Sequence, residues 1–447
     1  MECNNLAKTC VRFPMIGDMI FKNCNDESLV TCKMSSRNIN TFITEGRFFW
    51  LRQMGRYNKN FQGFHADWNK TIIQTSTFIL MQLSEAIHQF FAKEGYPKIK
   101  QEQLSPLDVA AESGNLELCK YIFGKMKNNI PAVRNRAVAM QLAALRGHLE
   151  IVKFLTENGF EKNPQDEKGW TLLHLVGMCG QFEIFKYIFD GIDNKNPRCQ
   201  DGLTPLHFAA KRGHINVANA IIQTIENKNP PCNARQTPLH YAVKEGQFEM
   251  SKLILENVLD KNPACNSGET PLHMAAKNGN LKITELLLEN IKDKDPRMND
   301  GKTPILVAAQ NGHLDVYKAF VKNELNKNPG DPFFTTMDTI TPLHVAALNG
   351  HLKIIDFIVE NSINANPGDD SGLTPLHYAA GRGHLEACRF FLNKIVDKNP
   401  KDIHGQTPFN MAARKNCWNV CCLIVNYIGY DNLSEEDQMT IDYIWSK

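Results

Sequence analysis

Fourteen histidines and thirteen cysteines give this 447-residue chain ample material for metal chemistry, and its 50 Lys and Arg offer material for anion recognition. Spacing argues against the metal. His174, His207, His240, His273, His344 and His377 each stand fourth in a recurring phrase of the type Thr-Pro-Leu-His, while His148, His214, His313, His351 and His384 each follow a glycine; together these are eleven of the fourteen. A zinc site needs ligands that converge on one point, and these recur at a fixed interval along the chain. They are predicted to hydrogen-bond turn backbone between adjacent units. Cys199, Cys232 and Cys265 share one register, which Met298 occupies in the next copy. Equivalent positions in stacked units lie roughly 8–10 Å apart, too far for a disulfide, so a small apolar ladder is expected. Cys417, Cys421 and Cys422 read as packing residues of a last helix. With no Gly-rich phosphate loop and no Ser, His and Asp constellation outside the repeat, no catalytic residue, metal or cofactor is expected.

The elements that place these residues repeat as well. The phrase begins at Ser105, Val138, Thr171, Thr204, Thr237, Thr270, Thr303, Thr341, Thr374 and Thr407, in steps of 33 residues with one step of 38. A period of this size means stacked units that bury their apolar faces only against neighbours. Thr204 is placed to cap a helix, Pro205 fits its first position, where a missing N–H is harmless, and Gly213 ends it. A second helix follows with Ile215, Val217, Ile221 and Ile222 at helical spacing. A proline stands 26 residues after each origin from Pro131 to Pro400 and stops that helix. Asp201-Gly202, Asp300-Gly301 and Ser371-Gly372 then supply a tight turn, whereas Arg235 and Thr339 replace the glycine and predict strained or differently shaped tips.

These residues resemble the ankyrin-repeat family over roughly three quarters of the chain. The resemblance implies an all-α solenoid of about ten helix-turn-helix units carrying β-hairpin fingers over 104–428, with partner proteins bound in a groove lined by fingers and first helices. In the two positions before the glycine, Arg146, Lys211, Arg212, Lys244, Lys277, Arg382, Arg414 and Lys415 face only Glu112 and Glu245. That bias predicts a groove for acidic or phosphorylated partner segments; the competing account is that Lys and Arg are there as soluble helix formers. A second candidate is the insertion of five residues before Thr341, where Phe333 and Phe334 either anchor an interface or fold back on the stack.

The first sixty residues do not repeat. Phe13-Pro14-Met15-Ile16, Met19-Ile20-Phe21, Asp26-Glu27-Ser28-Leu29-Val30, Cys32-Lys33-Met34-Ser35-Ser36 and Phe48-Phe49-Trp50-Leu51 resemble an F-box, although Asn38 replaces an aromatic usual near the third helix. The resemblance implies a small helical F-box-like domain that buries Pro14, Ile16, Ile20, Leu29 and Cys32 against the adaptor subunit of a cullin-based ubiquitin ligase; the alternative is a helical cap for the solenoid. Residues 61–103 are expected to link the two through an amphipathic helix bearing Trp68, Ile72, Ile79, Leu83, Ile87 and Phe90, and 429–447 to form a C-terminal capping helix.

Composition bounds the rest. A formal net charge of +2 argues against nucleic acid or an anionic membrane surface as the partner. The odd cysteine count and lack of a signal-like or membrane-spanning apolar run predict an intracellular protein, cytoplasmic or nuclear. The functional expectation is a substrate-recognition adaptor of a ubiquitin ligase, with a plain ankyrin scaffold or inhibitor as the alternative.

Overall fold

The computed structural model describes residues 106–125, 133–323, 340–362 and 364–445. Pro14, Ile16, Ile20, Leu29, Cys32, the expected linking helix, Thr339, Phe333 and Phe334 lie outside these residues. The chain divides into two compact units, 1–161 and 162–447. In the first, α1 (Pro106–Ser113) packs on α3 (Val133–Leu145), and α2 (Leu116–Lys125) on α4 (Leu149–Glu157). Helix α3 starts five residues ahead of the origin expected at Val138, where no Thr stands to cap a helix as it does from Thr171 onward. Phe123 fills the space between the pairs, edge-on to Phe154 with centroids 5.8 Å apart.

Among its described residues the second unit contains eight helix pairs and a terminal helix. The pairs are α5 (Leu172–Cys179) and α6 (Phe182–Asp190), α7 (Pro205–Arg212) and α8 (Ile215–Ile222), α9 (Pro238–Lys244) and α10 (Phe248–Asn257), and α11 (Pro271–Asn278) and α12 (Leu281–Asn290). They continue as α13 (Pro304–Asn311) and α14 (Leu314–Asn323), α15 (Pro342–Asn349) and α16 (Leu352–Glu360), α17 (Pro375–Gly381) and α18 (Leu385–Lys394), and α19 (Pro408–Arg414) and α20 (Trp418–Ile428), closed by α21 (Glu435–Trp445). First helices pack on first helices and second on second. The small side chains of Ala209, Ala242 and Ala275, all fully buried, permit the close approach of α7, α9 and α11. On the second helices one register carries Ile221, Ile254, Leu287, Phe320, Ile358, Phe391 and Ile424, each buried. Every unit thus gives its neighbour one large apolar side chain.

Turns follow the same grammar. Thr204 caps α7 with Pro205 in its first position, and Gly213 ends it at φ +74°, a left-handed conformation that a Cβ penalises. The Lys-Asn-Pro turn does more than end the second helix. Its asparagine oxygen accepts an N–H of the following first helix, as in Asn163 with Leu173 at 2.9 Å and Asn229 with Leu239 at 3.1 Å, and in the Ala-Asn-Pro copy Asn366 with Leu376 at 3.2 Å. An N-terminal amide left over by the helix geometry is thereby satisfied.

No strand forms among the described residues, which corrects the expectation of β-hairpin fingers. Each finger is a turn closed by a bond such as Cys199 N–H to Leu203 O at 2.9 Å, too short for a ladder of its own. Pairing runs between fingers instead: Asn233 N–H donates to Asp201 O, Asn266 to Ala234 O and Asn299 to Ser267 O, at 3.0, 3.1 and 3.0 Å. Side-chain amides of the same asparagines add a second rung, Asn233 Nδ2 to Gln200 O at 2.8 Å and Asn299 Nδ2 to Asn266 O at 3.0 Å.

Helix α21 packs on α19 and α20, burying Ile441 and Leu433. Among the described residues no helix is long and apolar enough to cross a membrane.

Candidate functional site

The histidines act as connectors. In each Thr-Pro-Leu-His copy of the second unit the threonine N–H donates to the imidazole Nδ1, at 3.0 Å for Thr204 and His207 and likewise for Thr237 and His240. With Nδ1 accepting, the proton sits on Nε2. That nitrogen donates to a carbonyl 29 residues on, in the next unit: His174 to Leu203 at 3.1 Å, His207 to Gln236 at 3.2 Å, His240 to Glu269 at 3.3 Å and His377 to Gln406 at 3.1 Å. One ring therefore caps its own helix and ties it to the next finger. A second series runs the opposite way, with Nε2 of His214, His313, His351 and His384 donating to Met178 O, Lys277 O, Gln310 O and Leu348 O at 2.9–3.0 Å.

Burial disfavours the charged ring, and it pushes His174, His240 and His273 down to about 4 and His207 to about 3. His344 and His377 are lowered for the same reason. Two copies depart from the pattern. Leu306 stands where the histidine would be, and the Thr303 hydroxyl is buried without a partner. In the last copy Asn410 accepts Thr407 N–H at 3.0 Å, and its Nδ2 donates to Asp437 of α21 at 2.5 Å. The terminal helix thus supplies the acceptor that a further finger would have offered.

Cys199, Cys232 and Cys265 are buried and free, and burial raises the Cys199 thiol. Their surroundings are those of packing residues. Desolvation likewise pushes Cys388 and Cys421 up to about 12, far from the thiolate that nucleophilic chemistry needs.

The basic side chains divide into three groups. Lys211 and Arg212 end α7, Lys244 ends α9 and Lys277 lies in the last turn of α11, so consecutive packed helices bring these four to one edge. Lys244 and Lys277 are exposed, Lys211 and Arg212 half-buried. Lys277 lies 3.8 Å from Glu269, and Glu245 adjoins Lys244, leaving the cluster net positive. Arg382 directly follows α17 and Arg414 ends its neighbour α19, separate from that edge. Arg146 belongs to the first unit, where it pairs with the buried Glu112 at 3.0 Å. Its charge is committed to a structural ion pair, a partner that position in the repeat alone does not reveal.

The fingertips hold one further exception. At Arg235 the backbone has φ +58°, the value expected of the glycine it replaces, in a region costly for a side chain with a Cβ.

Among the comparisons with known proteins, the model of the family described as "Ankyrin repeats (3 copies)" matches in overlapping stretches that begin with 107–198 and end with 343–436. No curated protein matches the chain. With stacked helix pairs, finger turns and the Thr-Pro-Leu-His capping now supported by a match over well more than half its length, the chain belongs to the ankyrin-repeat family.

Proposed function

We propose that this protein holds a target protein against its repeats and, through residues 1–60, joins that target to the adaptor subunit of a cullin-based ubiquitin ligase. Ankyrin repeats are protein–protein interaction scaffolds, and the cluster of Lys211, Arg212, Lys244 and Lys277 on three successive first helices is the observation that favours an acidic segment of the target. Arginine offers a bidentate fork to carboxylate or phosphate, and lysine a mobile point charge. Support for the ligase role comes from the F-box-like residues Pro14, Ile16, Ile20, Leu29 and Cys32. A three-helix unit of that size has little core of its own and gains stability by burying apolar side chains on a partner.

Co-purification tests the second half. The wild-type chain is expected to retain the ligase adaptor, and Pro14→Ala combined with Leu29→Asp to lose at least nine tenths of it, because a carboxylate replaces an apolar contact, at a cost of about 3 kcal/mol or more. If the wild-type chain retains no adaptor, the ligase role fails and the scaffold alone remains.

A further inference from the structure

Two departures from the repeat meet in one place. The loops 226–235 and 257–264 of the second unit enclose a cleft of about 530 Å³, to which Lys228, Arg235, Val258, Leu259 and Pro263 contribute. At the six other described fingertips a glycine adopts the left-handed conformation; here Arg235 does so, at φ +58°. Selection for stability alone would favour glycine at that position.

Lys228, two residues before its turn proline, also departs from its counterparts. Lys261 and Lys294 each hold the asparagine oxygen 29 residues on, Asn290 at 3.0 Å and Asn323 at 3.4 Å. Lys195 and Lys398 bond carbonyls at the end of the preceding helix, and Lys162 lies 4.2 Å from the Tyr187 ring centroid. Lys228 makes no such contact among the described residues, although Asn257 stands in the matching position and donates to Leu253 O as its counterparts do. Both Lys228 and Arg235 line the cleft without an ion pair among the described residues, Lys228 half-buried and Arg235 exposed.

Beside these cations part of the cleft wall is apolar. Leu259 is 104% exposed and neighbours Val258, Pro263 and Ala264. We infer that this cleft binds an extended segment of a partner protein through a glutamate or aspartate side chain followed by an aliphatic one. The carboxylate is held by Arg235 and Lys228, and the aliphatic group covers Leu259. Glu226 and Asp260 also line the cleft, so a doubly charged phosphate meets about twice the repulsion that a single carboxylate does. The inference rests on the scaffold function and specifies a second contact site for the same class of partner.

Methyl resonances of Val258, Leu259 and Ala264 in the full chain provide the readout. The probes are three acetylated, amidated hexapeptides whose central pair is glutamate-leucine, glutamine-leucine or phosphoserine-leucine. The glutamate peptide is expected to shift these methyls saturably and to bind roughly tenfold more tightly than the glutamine peptide, as loss of a charge-assisted bond implies. Arg235→Gly should weaken that peptide about fivefold or more while raising the Tm by roughly 2–4 °C through relief of the backbone. Opposite signs in affinity and stability are the signature of a residue kept for binding. Arg235→Gly with Lys228→Ala should abolish the shifts. Equal binding of the glutamate and glutamine peptides, absence of a saturable shift, or wild-type affinity in the double variant would overturn the inference, and tighter binding of the phosphoserine peptide would overturn the carboxylate assignment. If the wild-type chain holds a partner protein that is indifferent to Arg235 and Lys228, only the cleft fails; if it holds none, the scaffold function fails with it.

Discussion

Lowering the pH from about 7 to about 5 is expected to reduce the Tm of the folded chain by roughly 15 °C or more. The cause is the row His174, His207, His240 and His273, each buried, neutral and pushed down to about 3 or 4 by desolvation. An unfolded histidine takes up its proton near pH 6.5. Below that pH the unfolded chain binds protons that the folded one refuses, so stability present above about 6.5 is lost as pH falls toward the folded values. At pH 5 each ring contributes a loss of roughly 2 kcal/mol, and the four lie in consecutive units whose unfolding is coupled through shared interfaces. Denaturant unfolding at both pH values measures the loss. A difference under about 1 kcal/mol would show that the rings are not held neutral.

Replacing one ring has the second large effect. His240→Leu is expected to destabilise the protein by about 2–4 kcal/mol, because Thr237 N–H loses its acceptor and Glu269 O its donor while both stay enclosed. His240→Asn should cost about half of that, since an asparagine oxygen can still take the threonine N–H, as Asn410 does for Thr407 at 3.0 Å, but is too short to reach the next finger. Thr303 and Leu306 present the same defect naturally: a buried hydroxyl without a partner beside the leucine that fills the ring's place. Chemical denaturation of the two variants gives the comparison, and equal stability of His240→Leu and wild type would contradict the connecting role.

Much of this architecture was legible in the sequence because its signals are local. Thr-Pro starts a helix by capping and by a fixed φ, and a 33-residue period leaves neighbouring units as the only place to bury Ile221 or Ile254. The histidines read correctly as backbone partners for the same reason. Longer-range details were hidden. That Asn229 caps α9 depends on a turn folding back ten residues, and Leu306 stands out only once the rings on both sides are seen bonding. Fingers read as hairpins became single turns, since two or three residues on each side pair better with the neighbouring finger than with one another.

The candidate site was less legible. Counting Lys and Arg by register placed Arg146 beside Lys211, yet Arg146 neutralises Glu112. Lys228, outside the counted register, is distinguished only by the bond that its counterparts make. Charge in a repeat gains meaning from pairing, and pairing requires the fold. The exception that the sequence did expose is Arg235, where a side chain in a glycine position marks strain without needing a neighbour.

The most direct test of the scaffold account compares the proteins held by the wild-type chain with those held by a chain carrying Lys211→Glu, Arg212→Glu and Lys244→Glu, by quantitative mass spectrometry at low ionic strength. Partners rich in acidic segments are expected on the wild type, weakened by added salt and held about tenfold less or worse by the reversed chain, which stays folded. Equal retention of the same partners by both chains at low salt would contradict it.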